Sequence, residues 1–229
     1  MPGKLPRPTP APLGALDALL SATAPAPFGG RLPRLLFWAF LVDQVVLLAV
    51  VRSGDGDKAF LEGGAARTLT VALWLRALPL ALAAARHGRE LLDEGVASLA
   101  ALRGVAPAVV AQRATRAPLT ALVRALTPAL VVAGVWPLVL SAGDGAAALA
   151  RKLSVLALLC ALAVLAGVGL VSLGRWVGQR ASSPRRAMAT LAALLLGPWL
   201  AVRLVDAPRM LSLPGLYRAA VDAVLRLAS

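Results

Sequence analysis

Long blocks of Ala, Leu and Val, separated by short charged or proline-bearing segments, set the pattern of this chain. Five blocks stand out: about Leu35 to Val51, Thr68 to Ala85, Leu119 to Ser141, Leu153 to Gly174 and Ala187 to Val205. Each falls within the roughly 17 to 25 apolar residues that a helix needs to cross a hydrocarbon core of about 30 Å. Apolar character all round the helix, rather than along one stripe, points to lipid or a large protein core. The pattern predicts an all-α, polytopic integral membrane protein with five transmembrane helices. No internal repeat is visible.

The flanks read differently. Residues 1–34 form a proline-rich leader with a modest apolar patch from Ala11 to Ala24, which resembles a signal peptide in outline. Asp17 and the prolines at 10, 12, 25 and 27 argue instead for a cytoplasmic leader with a short interfacial helix. In residues 206–229, Arg218, Asp222 and Arg226 are spaced four apart and share one helical face. Leu216, Val221, Val224, Leu225 and Leu227 fill much of the rest. This tail reads as an amphipathic helix at the interface or tucked between spans. A sixth crossing would bring its arginines inside, but no segment there is long enough.

Composition sharpens the picture. Hydrophobic residues make up 59% and charged residues 15%, with 24 Lys and Arg against 11 Asp and Glu, a formal charge of +13. In a soluble chain that excess would suggest nucleic acid. In a membrane chain it reads as the retention of Arg and Lys in cytoplasmic loops, and no nucleic-acid partner is expected. With the N-terminus in the cytoplasm, residues 1–34, 86–118 and 175–186 hold 4, 5 and 4 basic residues, against 3 and 2 in the outer loops 52–67 and 142–152. Only Lys4, Lys58 and Lys152 are lysines, which suggests a GC-rich bacterial genome and hence the inner membrane. Cys160 and His87 are each single, so neither a disulfide framework nor a Cys or His metal site is expected, and no cofactor is called for.

Within the blocks, Asp43 lies near the middle of the first and Arg76 near the middle of the second. A charge at that depth costs at least about 2.5 to 3.5 kcal/mol on insertion scales. Counted from the cytoplasmic end the two reach similar depth, which predicts a buried Asp43–Arg76 pair; a role along a substrate or proton path stays open. Arg124 lies nearer the edge and snorkels. Pro79, Pro128, Pro137 and Pro198 interrupt three blocks, as membrane helices tolerate where neighbours satisfy the freed carbonyls. Gly174 and Gly178, at GxxxG spacing, point to close helix packing.

The segment from His87 to Pro118 carries the most information. Leu91, Leu92, Val96, Leu99 and Leu102 recur near helical spacing, while Arg89, Glu90, Asp93 and Glu94 supply a polar side. Gly104 and Pro107 end that helix, and a second short segment with Arg113 and Arg116 returns to the bilayer. The pattern is an amphipathic cytoplasmic helix between two spans. It either lies on membrane lipid or docks a cytosolic partner.

With these residues in view, the chain resembles the permease subunits of type-2 ATP-binding-cassette (ABC) exporters over about residues 35 to 205. Asp93, Glu94 and Gly95 are similar to that family's acid-Gly element, Leu99 and Leu102 to its Leu-rich stretch, and Arg113 stands near its usual Lys. The segment Leu170 to Ala201 is similar to its fourth-span end, short Ser and Arg loop and proline-bearing fifth span. Size and element order also resemble the heme-exporter permease of cytochrome c maturation, although the family usually has six spans. The resemblance implies a coupling helix, with Glu90, Leu91, Asp93, Glu94, Gly95, Leu99 and Leu102 seated in a separate cytosolic ABC ATPase. It also implies a second permease subunit, identical or different.

The residues agree on one point: no G-x-x-x-x-G-K-[ST] phosphate loop is present, so ATP hydrolysis would occur on another polypeptide. An intramembrane enzyme would need converging nucleophiles, bases or metal ligands, and the acids within the blocks reduce to Asp43. No catalytic residue is expected. A structural or assembly subunit without a transport path stays open as the alternative.

Overall fold

The computed structural model describes residues 31–52, 64–93, 95, 98, 101–102, 105–140, 145–204 and 212–226, and among them all regular structure is helix. The leader helix predicted before residue 31, and the sequence positions Glu94, Val96, Leu99, Gly104 and Leu227, lie outside the described residues. Six principal helices follow in order. They are α1 (Arg31–Arg52), α2 (Gly64–Asp93), α3 (Pro107–Leu140), α4 (Ala146–Arg180), α5 (Pro184–Leu204) and α6 (Leu213–Arg226). Three of them, α2, α3 between Pro118 and Val139, and α4, are long and apolar enough to cross a membrane. The first and fifth predicted spans coincide with α1 and α5, helices of 22 and 21 residues.

The helices run well beyond the apolar blocks that predicted them. At 1.5 Å per residue, the 30 residues of α2 extend about 45 Å against a hydrocarbon core of about 30 Å. The excess lies mainly past residue 85. There Arg86 Nε meets Glu90 Oε1 at 2.6 Å and Arg89 Nη2 meets Asp93 Oδ1 at 2.5 Å, two i,i+4 pairs that carry the helix onward after its apolar residues stop. The predicted separate amphipathic helix is thus corrected in its first part: Glu90, Leu91 and Asp93 are the last turn of α2, and His87, where that segment begins, is a buried residue within the same helix. Likewise Pro107 opens α3 instead of only ending what precedes it, in keeping with proline's fit at a first helical position. The expected short return segment with Arg113 and Arg116 is the first part of this 34-residue helix.

Helix α2 is the centre of the bundle. Ala66, Leu69, Ala72, Leu73, Ala77, Leu80, Ala81, Ala84 and Ala85 are all buried along it. Such a run of small side chains lets neighbours approach closely, the main means of helix association where lipid tails are as apolar as the core. Its closest neighbour is α4, which runs parallel to it. Added Cβ atoms at Gly174 and Gly178 would fall on the carbonyls of Ala81 and Ala85, and Gly88 faces the Arg175 carbonyl in the same seam. Helices α1, α3 and α5 run the opposite way. Gly64 lies under the ring of Trp136 on α3, and Gly167 of α4 meets Leu122 and Leu73.

Between Leu73 and Ala77 the α2 ladder widens into a π turn. Pro79 supplies the reason. It has no N–H for the Leu75 carbonyl, and its ring crowds that same carbonyl, so the preceding turn opens to relieve both. Arg76 is carried on this turn.

Helix α6 is amphipathic as predicted, with Arg218, Asp222 and Arg226 all exposed. Its inner face is held in the bundle against α4 and α5 by Tyr217 and Val221, both buried. The Tyr217 hydroxyl hydrogen-bonds the Thr70 side chain on α2, and Thr70 in turn donates to the Ala66 carbonyl at 2.7 Å. Ser212 starts the helix, its Oγ accepting the Gly215 N–H at 3.2 Å.

Candidate functional site

Two groups of polar residues have no role in simple helix packing. One lies at mid-bundle and the other at the end where α2 and α4 finish, here called the Arg180 end.

The mid-bundle group is organised by the antiparallel register of α1 and α2. The Thr68 hydroxyl lies 3.1 Å from Gln44 Oε1 and 2.8 Å from the Gly64 carbonyl, and Gln44 Nε2 donates to Asp43 at 3.1 Å. Further along, the Arg76 guanidinium sits 3.6 Å over the Phe37 ring centroid, with both side chains fully buried. Residues 44 and 37 of α1 therefore stand opposite 68 and 76 of α2. That register separates Asp43 from Arg76 by six to seven residues, about 10 Å along the axis.

The predicted Asp43–Arg76 pair is corrected accordingly. Asp43 lies on the exposed face of α1 beside Val42, with Arg67 of α2 as its electrostatic neighbour. Depth counted from the edges of apolar blocks missed this, because the true helix ends lie outside those edges. Phe37, Gln44, Arg67 and Thr68 were not singled out from sequence; Gln44 beside Asp43 inside an apolar block was the available signal. In a double-mutant cycle, Asp43→Asn with Arg67→Gln is expected to show a coupling of about 0.5 to 3 kcal/mol, the range for interacting neighbours. Asp43→Asn with Arg76→Gln is expected to show a clearly smaller one. Thermal unfolding in detergent reads both, and equal couplings would overturn the register.

At the Arg180 end, Leu91 packs with Val105 and Val110, so the last turn of α2 and the first turns of α3 form a two-helix stalk with its own small apolar contact. Gly95 adopts φ +62°, a left-handed conformation that glycine takes without strain, and its N–H donates to the Leu92 carbonyl at 3.1 Å. Past this turn Ser98, Ala101 and Leu102 are again helical, and Leu102 is 79% exposed. Of the predicted docking residues, Glu90, Leu91, Asp93, Gly95 and Leu102 thus fall in the hairpin connection that joins α2 to α3.

Arg89 ties that hairpin to the rest of the bundle. Besides its pair with Asp93, its Nη1 donates to the carbonyl of Ala181, in the turn between α4 and α5, at 2.9 Å. Reading the chain in order gave no hint of this link, since the partners are 92 residues apart. On the other side of the turn, Arg180 lies 4.0 Å over the Trp176 ring, and Arg186 Nη1 donates to Ser182 Oγ at 2.9 Å.

Among the described residues no group of three or more His, Cys, Asp or Glu side chains converges to hold a metal ion. No family model, curated protein or solved structure matches the chain.

Proposed function

We propose that the chain is the membrane subunit of an ABC exporter, crossing a bacterial inner membrane five times with its N-terminus and Arg180 end in the cytosol. In this reading a separate ATPase docks on the hairpin around Gly95 to Leu102, and a second permease subunit completes the transport path. The observation that carries it is mechanical. The hairpin starts from the last turn of α2, and α2 is locked to α4 by Gly174 and Gly178 and to the α4–α5 turn by Arg89. A push on the hairpin therefore moves two membrane helices as one body, the kind of rigid-body switching that ATP-driven closure of a partner would exploit. The lack of a phosphate loop in this chain fits an ATPase supplied in trans.

The test is affinity purification of the tagged full chain from its native membrane. An ATPase carrying a phosphate loop is expected to co-purify. Substituting Glu90→Ala, Glu94→Ala and Leu99→Ser together, with Leu102→Ser, is expected to weaken its retention at least tenfold while membrane insertion is unchanged. Retention at parental affinity after those changes would overturn the docking surface. Recovery of other membrane subunits and no ATPase would favour the structural or assembly role instead.

A further inference from the structure

At the turn joining α4 to α5, Arg180, Arg185 and Arg186 have no carboxylate partner among the described residues. From Asp144 to Asp206 the sequence has no acidic residue between them, yet Arg175, Arg180, Arg185 and Arg186 cluster within this hairpin. The nearest acids on the packed neighbour α2 are engaged elsewhere, Glu90 by Arg86 and Asp93 by Arg89. Among the described residues no carboxylate pairs with Arg180, Arg185 or Arg186, and all three are exposed.

The depth of this patch is marked by Trp176. Its ring is half exposed one turn before Arg180 and directly follows Arg175, and from Gly174 back to Leu153 α4 is apolar save for small polar residues. An exposed tryptophan at the end of an apolar helix sits at the headgroup level of a bilayer. Arg180 stacks on it, which holds the guanidinium beside that level with its N–H edges free of the ring face. Guanidinium groups present parallel donors that match phosphate oxygens, so the chemistry that fits this surface is a phosphodiester with net negative charge.

We propose that Trp176, Arg180, Arg185 and Arg186 form a binding surface for the headgroups of anionic phospholipids. This rests on the membrane placement above but not on the ATPase reading, so either can fail alone. Because Arg89 joins the same turn to the hairpin at Gly95, lipid bound here steadies the site from which α2 would be driven.

The test is reconstitution of the full chain in bilayers of phosphatidylcholine alone or mixed with phosphatidylglycerol, with lipid retention read by native mass spectrometry and stability by thermal unfolding. Phosphatidylglycerol is expected to be retained preferentially and to raise the melting temperature. Each arginine near an anionic surface contributes about fivefold, so R180Q/R185Q/R186Q is expected to lower the preference at least tenfold, and high salt to do likewise in the parent. R151Q/K152Q, at the opposite end, is expected to leave it unchanged. The proposal is overturned if the triple variant keeps the parental preference, if the control pair loses as much, or if inorganic phosphate alone reproduces the stabilisation.

Discussion

Replacing Gly174 and Gly178 together by alanine is expected to destabilise the protein by up to about 4 kcal/mol in detergent. Each added methyl group meets the carbonyl of Ala81 or Ala85 on α2, well inside contact distance. Backbone cannot rotate away as a side chain can, so the two helices must part. Overpacking of this kind costs about 1 to 3 kcal/mol per site, and alanine's better helix propensity returns only about 1 kcal/mol at each. The seam is continuous through Gly88 and Arg175, so separation at one level spreads to the next. The controls are Gly169→Ala and Gly197→Ala, where an added Cβ meets nothing within 4 Å. They are expected to leave stability unchanged or improve it slightly. If all four substitutions behave alike, α2 and α4 are not held by these glycines and the rigid pair has no basis.

Phe37→Ala is expected to cost about 3 to 5 kcal/mol, the usual range for a buried phenylalanine. It removes a fully buried ring and uncovers the Arg76 guanidinium stacked on it. Phe37→Leu separates the two effects. It retains much of the volume but not the ring's negative face, so its cost, about 2 kcal/mol for a desolvated cation–π contact, measures what the ring contributes to holding Arg76. Phe37→Trp supplies an equally good or better face and is expected to recover the loss if its extra volume is accepted. A leucine variant as stable as the parent would mean that Arg76 is held by something other than the ring. Both substitutions are read by unfolding in the same detergent, since burial at this depth leaves no route for the lost contact to be replaced by water.

The crossing helices were legible because apolar composition over some twenty residues needs no knowledge of neighbours. Their ends were not, since Arg86 to Asp93 look like loop by hydropathy while continuing the helix through pairs at i,i+4 spacing. That spacing was present in the sequence, and it is the feature that distinguishes a projecting helix from a loop. The Asp43–Arg76 pairing failed for a related reason: similar distance from an assumed edge says nothing about which faces meet, and a register is fixed by contacts such as Thr68 with Gln44. The π turn before Pro79 shifts the face further, and no count of residues anticipates it. Small-residue packing was the most readable part of the tertiary structure. GxxxG spacing at Gly174 and Gly178 predicted a close approach, and the partner stripe was visible in the alanines of the second block. In the tail, the chain's one tyrosine, Tyr217, was the residue to notice, because a polar tip on an apolar ring is what anchors an amphipathic helix against a bundle.

The placement of the two ends of the bundle on opposite sides of a membrane is tested by single cysteines introduced, one at a time, into a Cys160→Ser background. Leu102→Cys and Ser182→Cys are expected to react with a membrane-impermeant maleimide only in inside-out vesicles, and Ala147→Cys only in right-side-out ones. Labelling of Leu102→Cys and Ala147→Cys from the same side, or recovery of the intact chain from the soluble fraction without detergent, would contradict the account.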